Sequence, residues 1–329
     1  MVRARRALAL VVVCAGLVAT LFACASVLGI EDRPQRVEAD AAPPLDATAD
    51  VSDAGADAQC NLFESRACSA DCPRDFCDDF DEDGQAPETR WKTPIGFKNP
   101  FTRGDSGVML TTSANSPPMA LSATTASSAQ TSYGMLAHLL SFHPAHDGQQ
   151  FDGVRVALDF RIDALSLTGT GGGPVKDAGN AAVLGMLRSE LSAQPHGIAI
   201  VLSGKSMAID VADAVLGGTG ANALGVVNDN LDLTFLEGNW LQLELFVGDR
   251  DRAVKLGYDR CAAADVGPGL VAVAALGGRA LGVACVDVPA SFGPPSWPED
   301  PIILAGSLLF SAGNASFRID NVVADFFVK

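Results

Sequence analysis

Val154-Arg155-Val156-Ala157-Leu158-Asp159-Phe160-Arg161-Ile162-Asp163 alternates with period two. Val154, Val156, Leu158, Phe160 and Ile162 point one way, and Arg155, Asp159, Arg161 and Asp163 point the other, which is the pattern of a strand with one face in a core and one face wet. Working outward from it, short apolar runs with the same character occur at Val108–Thr112, Met119–Ala123, Ser132–Leu140, Ala182–Leu187, Gly197–Leu202 and Met207–Val211. They continue at Trp240–Val247, Val254–Tyr258, Leu270–Ala275, Leu281–Val286, Ile302–Phe310 and Ser316–Val328. Gly, Asn, Asp and Pro clusters separate these runs, and no long amphipathic helix competes with them. So many short strands predict an all-β chain folded as a two-sheet antiparallel sandwich.

Composition agrees. Of 329 residues 33 are Gly and 18 Pro, aromatics make up 6% and charged residues 19%, a balance that suits strands and tight turns. Lys and Arg total 23 against 39 Asp and Glu, a formal net charge of −16, so no general positive field exists to hold a polyphosphate backbone and nucleic acid is excluded as a partner.

Arg3, Arg5 and Arg6 precede an uncharged apolar run from Ala7 to Ala23, the charged and apolar regions of a secretory signal over residues 1–23. A retained membrane-spanning anchor is the alternative, since the run is near the lower limit for crossing a bilayer. Leu21-Phe22-Ala23-Cys24 resembles the lipobox of bacterial lipoproteins, with Phe22 a departure from the usual small or β-branched residue. The resemblance implies cleavage before Cys24, lipidation of Cys24, and attachment to the membrane of the cell envelope through that lipid. Ala25, in place of Asp after the cysteine, implies outer-membrane or cell-surface delivery in lineages that sort by this residue. Residues 24–59 form an acidic linker, because the stretch from Glu31 to Gln59 is mostly Ala, Asp and Pro without an aromatic and cannot bury enough apolar area to offset its ordering entropy.

Eight cysteines remain to be placed: Cys14 lies in the signal, Cys24 is the lipid site, and six belong to the mature chain. In an exported protein Cys60, Cys68, Cys72 and Cys77 can form two disulfides in a Cys-rich segment over 60–78, with pairing left open, and Cys261 with Cys285 can form a third. Zinc is the competing reading, but the spacing lacks C-x2-C knuckles.

Three landmarks carry a further resemblance. Phe76-Cys77-Asp78-Asp79-Phe80-Asp81 followed by Trp91, then Glu237-Gly238-Asn239-Trp240 opening a strand, then Arg318-Ile319-Asp320-Asn321-Val322-Val323 resemble the first, middle and last strands of the laminin-G-like, concanavalin A-like jelly-roll superfamily. The resemblance covers about residues 74–329. It implies a jelly-roll sandwich in which Trp91 and Trp240 face the core. Lectins, glycan-binding modules, glycoside hydrolases, polysaccharide lyases and surface domains without activity all share that fold, so fold alone does not choose among them.

Candidate chemistry is sparse. No Glu-x-Asp-x-Glu run of the laminarinase-like glycosidases occurs, and the nearest polar row, Asp159, Arg161 and Asp163, sets its carboxylates about 13 Å apart at 3.3 Å per residue. That row reads as an ion-pair row and a minor candidate for ligand contacts. His143, His146 and Asp147 could offer ligands to a metal from a Pro- and Gly-bearing loop. Asp79-Phe80-Asp81-Glu82-Asp83-Gly84 opens like a calcium loop, but Arg90 replaces the closing bidentate Glu of an EF-hand. The superfamily resemblance implies instead one structural Ca2+ joining Asp79 or Asp81 to Asp320, against the plain alternative that these acids end strands and cap turns. For stacking on a sugar ring, Trp297 in a Pro-braced loop is the leading ligand-binding residue, with Tyr133 and Tyr258 behind it.

These observations favour a lipid-anchored cell-envelope protein with a non-catalytic jelly-roll interaction domain, its partner a glycan or a surface protein. The alternatives are a carbohydrate-active enzyme of the same fold, hydrolase or lyase, and a purely structural surface protein.

Overall fold

The computed structural model describes residues 68, 74–81, 90–91, 99–115, 119–127, 132–140, 151–167, 180–187, 197–203, 206–211, 222–228, 236–288, 301–310 and 312–328, all within one compact unit, Ala54–Lys329. Cys24, Cys60, Cys72, Trp297, His143, His146 and Asp147, together with the signal and linker segments, lie outside the described residues.

In chain order the strands are β1 (Phe76–Asp78), β2 (Phe101–Arg103), β3 (Asp105–Thr111), β4 (Ala120–Ser127), β5 (Ser132–Leu139), β6 (Phe151–Leu167), β7 (Asn180–Leu187) and β8 (Gly197–Ser203). There follow β9 (Ser206–Val211), β10 (Asn222–Asn228), β11 (Trp240–Asp249), β12 (Leu270–Leu276), β13 (Gly282–Asp287), β14 (Ile302–Leu309) and β15 (Gly313–Val328). The first sheet has the order β13-β12-β11-β6-β15-β4-β3, with β1 paired to β15; the second runs β10-β9-β8-β7-β14-β5-β2, and every strand pairing is antiparallel. The fold is therefore an all-β, two-sheet jelly-roll sandwich.

The alternation in β6 places this core as expected. Val154, Val156, Leu158, Phe160 and Ile162 are all buried and pack with Phe317, Ile319 and Val322 of β15 and Leu243, Leu245 and Val247 of β11 against Ile198, Ile200, Ile303 and Ala305 of the second sheet. A polar link between the sheets, Thr125 Oγ1 to Ser307 Oγ at 2.6 Å, lies in the buried interior, and burial leaves each hydroxyl dependent on the other. At the C-terminal end of β15, β1 adds a short strand, and Cys68–Cys77 ties the chain before it, packing over Ala157 and Val323.

One expected strand is not a strand. Val254 and Lys255 end a helix, α1 (Arg250–Lys255), and Leu256–Tyr258 lead from it into a 3₁₀ turn at Asp259–Ala262. Asp251 in the first turn and Arg252 and Lys255 in the last suit the helix dipole, and Gly257, at φ +79°, supplies the left-handed residue that ends it. Val254, Leu256 and Tyr258, which read as alternation, do not share a face: Val254 is 37% exposed, while Ala253, Leu256 and Tyr258 lay this segment over the outer face of β11 and β12. A second small core forms there from Phe246, Ala253, Tyr258, Val266, Val271 and Val273, closed by Cys261–Cys285. Closing a 24-residue separation destabilises the unfolded chain by about 3.5 kcal/mol. The cross-strand pair Gly153 and Gly248 makes room for the Phe246 ring, since a Cβ at either glycine would stand 2.6 Å from ring carbons.

Candidate functional site

The two outer faces differ in chemistry. On the second sheet, Tyr133, Met135 and Ala137 of β5, Ile302, Leu304 and Leu308 of β14, Ala182 of β7 and Ala199 and Val201 of β8 form an apolar cluster in which every member is buried. Tyr133 stacks on Phe101 with ring centroids 4.6 Å apart and is 8% exposed, while Tyr258 is 1% exposed beneath α1. Neither offers a free stacking face, which corrects their place among the ligand-binding candidates.

The outer face of the first sheet is polar and carries the row expected in β6. Arg161 and Arg318 stand opposite each other on β6 and β15, and one carboxylate serves both: Arg161 Nε donates to Asp163 Oδ1 at 2.9 Å and Arg318 Nε to Asp163 Oδ2 at 2.6 Å. Ser113 braces the pair, its hydroxyl accepting from Arg161 Nη2 at 3.3 Å and its carbonyl from Arg318 Nη1 at 3.1 Å. Trp240 opens β11 directly across from Arg161, whose guanidinium carbon lies 5.5 Å from the indole centroid. Trp240 is thus half-buried on the outer face, contrary to the core position that the family resemblance implied. The reason lies in the register of the β6–β11 ladder, Trp240 against Arg161 and Leu241 against Phe160, in which Leu241 takes the inward place; Glu237 adds a bridge to Ile162 and Gly238 N donates to Ile162 O. Trp91, by contrast, is fully buried as expected.

One row further along β6, Asp159 faces Asp320 across the β6–β15 pairing. Asp159 Oδ2 accepts from Asn115 Nδ2 and Asn321 Nδ2, both at 2.8 Å, and burial outweighs these bonds, raising its carboxyl above the ordinary range. Asp320 is fully buried, with Oδ2 accepting from Asn115 N at 2.9 Å and Oδ1 from Asn321 N at 2.8 Å. Asn321, at φ +50°, sits in the bulge that offsets β15 here.

The proposed calcium residues have these partners. Asp79 Oδ1 accepts from Asp81 N and lies 3.9 Å from Arg90, and Asp81 Oδ1 accepts from Met119 N at 3.0 Å. Among the described residues no group of three or more Asp, Glu, His or Cys side chains is arranged to hold a metal ion.

Because its folded carboxyl is raised above 3.8, Asp159 adds stability below that pH and loses it as pH rises through the raised value. Asp159→Asn, which keeps an acceptor for the two asparagines, should therefore gain on the parent chain as pH rises from 4 to 7. Melting temperatures of the two chains at several pH values check this, and a parent chain that gains on Asp159→Asn as pH rises contradicts it.

No family model matches the sequence, and no curated protein matches it. Among solved structures the chain is similar to a cellulose-induced protein, Cip1, at 13% identity and TM-score 0.43, over 76% of this chain and 96% of that one. It is also similar to alginate lyase vAL-1 from Chlorella virus, at 10% identity and TM-score 0.40 over 67% and 89%. A third is the family-7 alginate lyase A1-II', at 10% and 0.37 over 66% and 83%. Overlaps of this extent carry no argument about chemistry.

Proposed function

We propose that the chain is a lipid-anchored cell-envelope protein whose jelly-roll domain is a non-catalytic interaction module for glycan, working through the outer face of the first sheet. One observation carries this reading. The half-buried indole of Trp240 stands beside a braced row of hydrogen-bonding side chains, Arg161, Asp163 and Arg318, on a face that reaches solvent, whereas β5, β14, β7 and β8 of the second sheet carry a buried apolar cluster on their outer side. An aromatic surface with a few fixed polar groups is the chemistry that holds a sugar ring. Lipidation at Cys24 and a second aromatic contact at Trp297 belong to the same proposal, as does one structural Ca2+ near Asp79, Asp81 and Asp320.

A carbohydrate-active enzyme is the second reading, favoured by Asp159, a carboxyl raised by burial and directly opposite another carboxylate. The experiment that separates them is a glycan array probed with the full chain in detergent, with and without calcium, followed by a product assay on each hit. Binding without turnover, weakened about tenfold (about 1.4 kcal/mol) by Trp240→Ala, is the expected result. Turnover would move the protein to the enzyme class, and no binding in either condition would favour a structural or protein-binding role.

A further inference from the structure

The strand register lines up one transverse row across five strands of the first sheet. Trp240 of β11 stands opposite Arg161 of β6, Arg161 opposite Arg318 of β15, Arg318 opposite Ser122 of β4, and Ser122 opposite Met109 of β3. All five lie on the outer face, because their strand neighbours Leu241, Phe160, Phe317, Ile319, Leu121 and Val108 pack into the core. Four steps of about 4.8 Å make the row about 19 Å long, the length of a short oligosaccharide.

Its charge pattern is unusual. Two arginines directly opposite each other repel, and only Asp163 lies between them, so the trio keeps a positive charge on a chain whose net charge is −16. Asp159 and Asp320, further along β6 and β15, accept hydrogen bonds from Asn115 and Asn321. Among the described residues Arg161 Nη1 and Arg318 Nη2 make no hydrogen bond, which leaves one uncommitted charged nitrogen on each of the two arginines in the middle of the row. Paired planar guanidinium donors fit a carboxylate or a sulfate far better than a neutral hydroxyl. At the ends of the row stand an indole and Met109, which is 62% exposed, apolar surfaces that suit the faces of sugar rings.

We infer that this row binds an acidic saccharide lying across the strands, with its carboxylate or sulfate on Arg161 and Arg318. The inference rests on the reading of this face as a glycan-binding surface and adds the ligand's charge and direction. Calorimetric titration of the full chain in detergent with an oligo-uronate, a sulfated oligosaccharide and an uncharged oligosaccharide of equal length tests it at two salt concentrations. At least one acidic ligand should bind about tenfold or more tightly than the uncharged one, and bind less tightly at high salt. Arg318→Gln should weaken it about tenfold, and Met109→Glu, at an exposed strand edge where folding is not at stake, should weaken it as well. Arg260→Gln, which removes an exposed arginine elsewhere, should leave it unchanged. Uncharged binding of equal or greater strength, or acidic binding indifferent to both row variants, overturns the acidic class and leaves the glycan-binding reading in place. Failure of all three ligands to bind overturns both.

Discussion

Replacing Asp78 by alanine should lower the unfolding free energy by about 3–5 kcal/mol, the range for removing one partner of a buried charged cluster. Asp78 is 1% exposed at the end of β1, where its carboxylate accepts from Phe80 N at 2.9 Å, Trp91 Nε1 at 2.7 Å and Arg90 Nη1 at 3.1 Å. Burial pushes its carboxyl above the ordinary range despite these three donors. Alanine would leave an indole N–H and a backbone N–H buried without an acceptor. The loss would spread, because Trp91 packs edge-on against Phe76 and stacks near Phe80, and Phe76 in turn stacks on His138 at 3.9 Å. Asp78→Asn keeps one carbonyl oxygen but turns an amide toward a donor, so it should cost less, about 1–3 kcal/mol. Urea unfolding of the three chains decides it, and an alanine chain within 1 kcal/mol of the parent would show that Asp78 does not hold the first strand and Trp91 together.

The same residues show what could be read in the sequence and what could not. Strand β6 was legible because its two faces differ completely in polarity, and β15 and β11, which pair with it, carry the same alternation. Strands β2 and β10 were not: Phe101–Arg103 is too short to show a period, and Asn222–Asn228 contains Gly225 and asparagines that read as loop. Asp78 was visible only as part of a landmark, since nothing in its spelling reports that Trp91, thirteen residues on, returns an N–H to it. The row Asp159, Arg161 and Asp163 was legible as a wet face, but Arg318 and Trp240 join it only through pairings between distant strands. Trp240 shows the limit of inference by family position, for the register of β11 against β6 decides which way the indole points. At Val254–Tyr258 a short apolar spacing fits a strand and one helical turn equally well, and tertiary cover over Phe246 chose the helix.

That cover supplies the other large effect. Glu244, 2% exposed on the outer side of β11, accepts a hydrogen bond from the hydroxyl of Tyr258, and the guanidiniums of Arg155 and Arg279 approach its two oxygens at 4.0 and 3.9 Å. Burial, and then the carboxylate beside it, raise the Tyr258 phenol well above its ordinary value, so it remains a proton donor. Glu244→Ala should cost about 3–5 kcal/mol, because it strands that hydroxyl and deprives both arginines of their shared anion. Removing both ends of the bond should cost much less than the sum. In Glu244→Leu with Tyr258→Phe no orphaned hydroxyl remains, leucine extends the apolar surface of Phe246 and Val273, Arg155 keeps Asp325 at 2.8 Å, and Arg279 keeps the Gly257 carbonyl at 3.0 Å. A double-mutant cycle of Glu244→Leu and Tyr258→Phe, read by urea unfolding, should therefore give a coupling of about 1–3 kcal/mol. Additive losses would mean that packing by the disulfide-bound segment alone, rather than the carboxylate and phenol, holds it to the sheet.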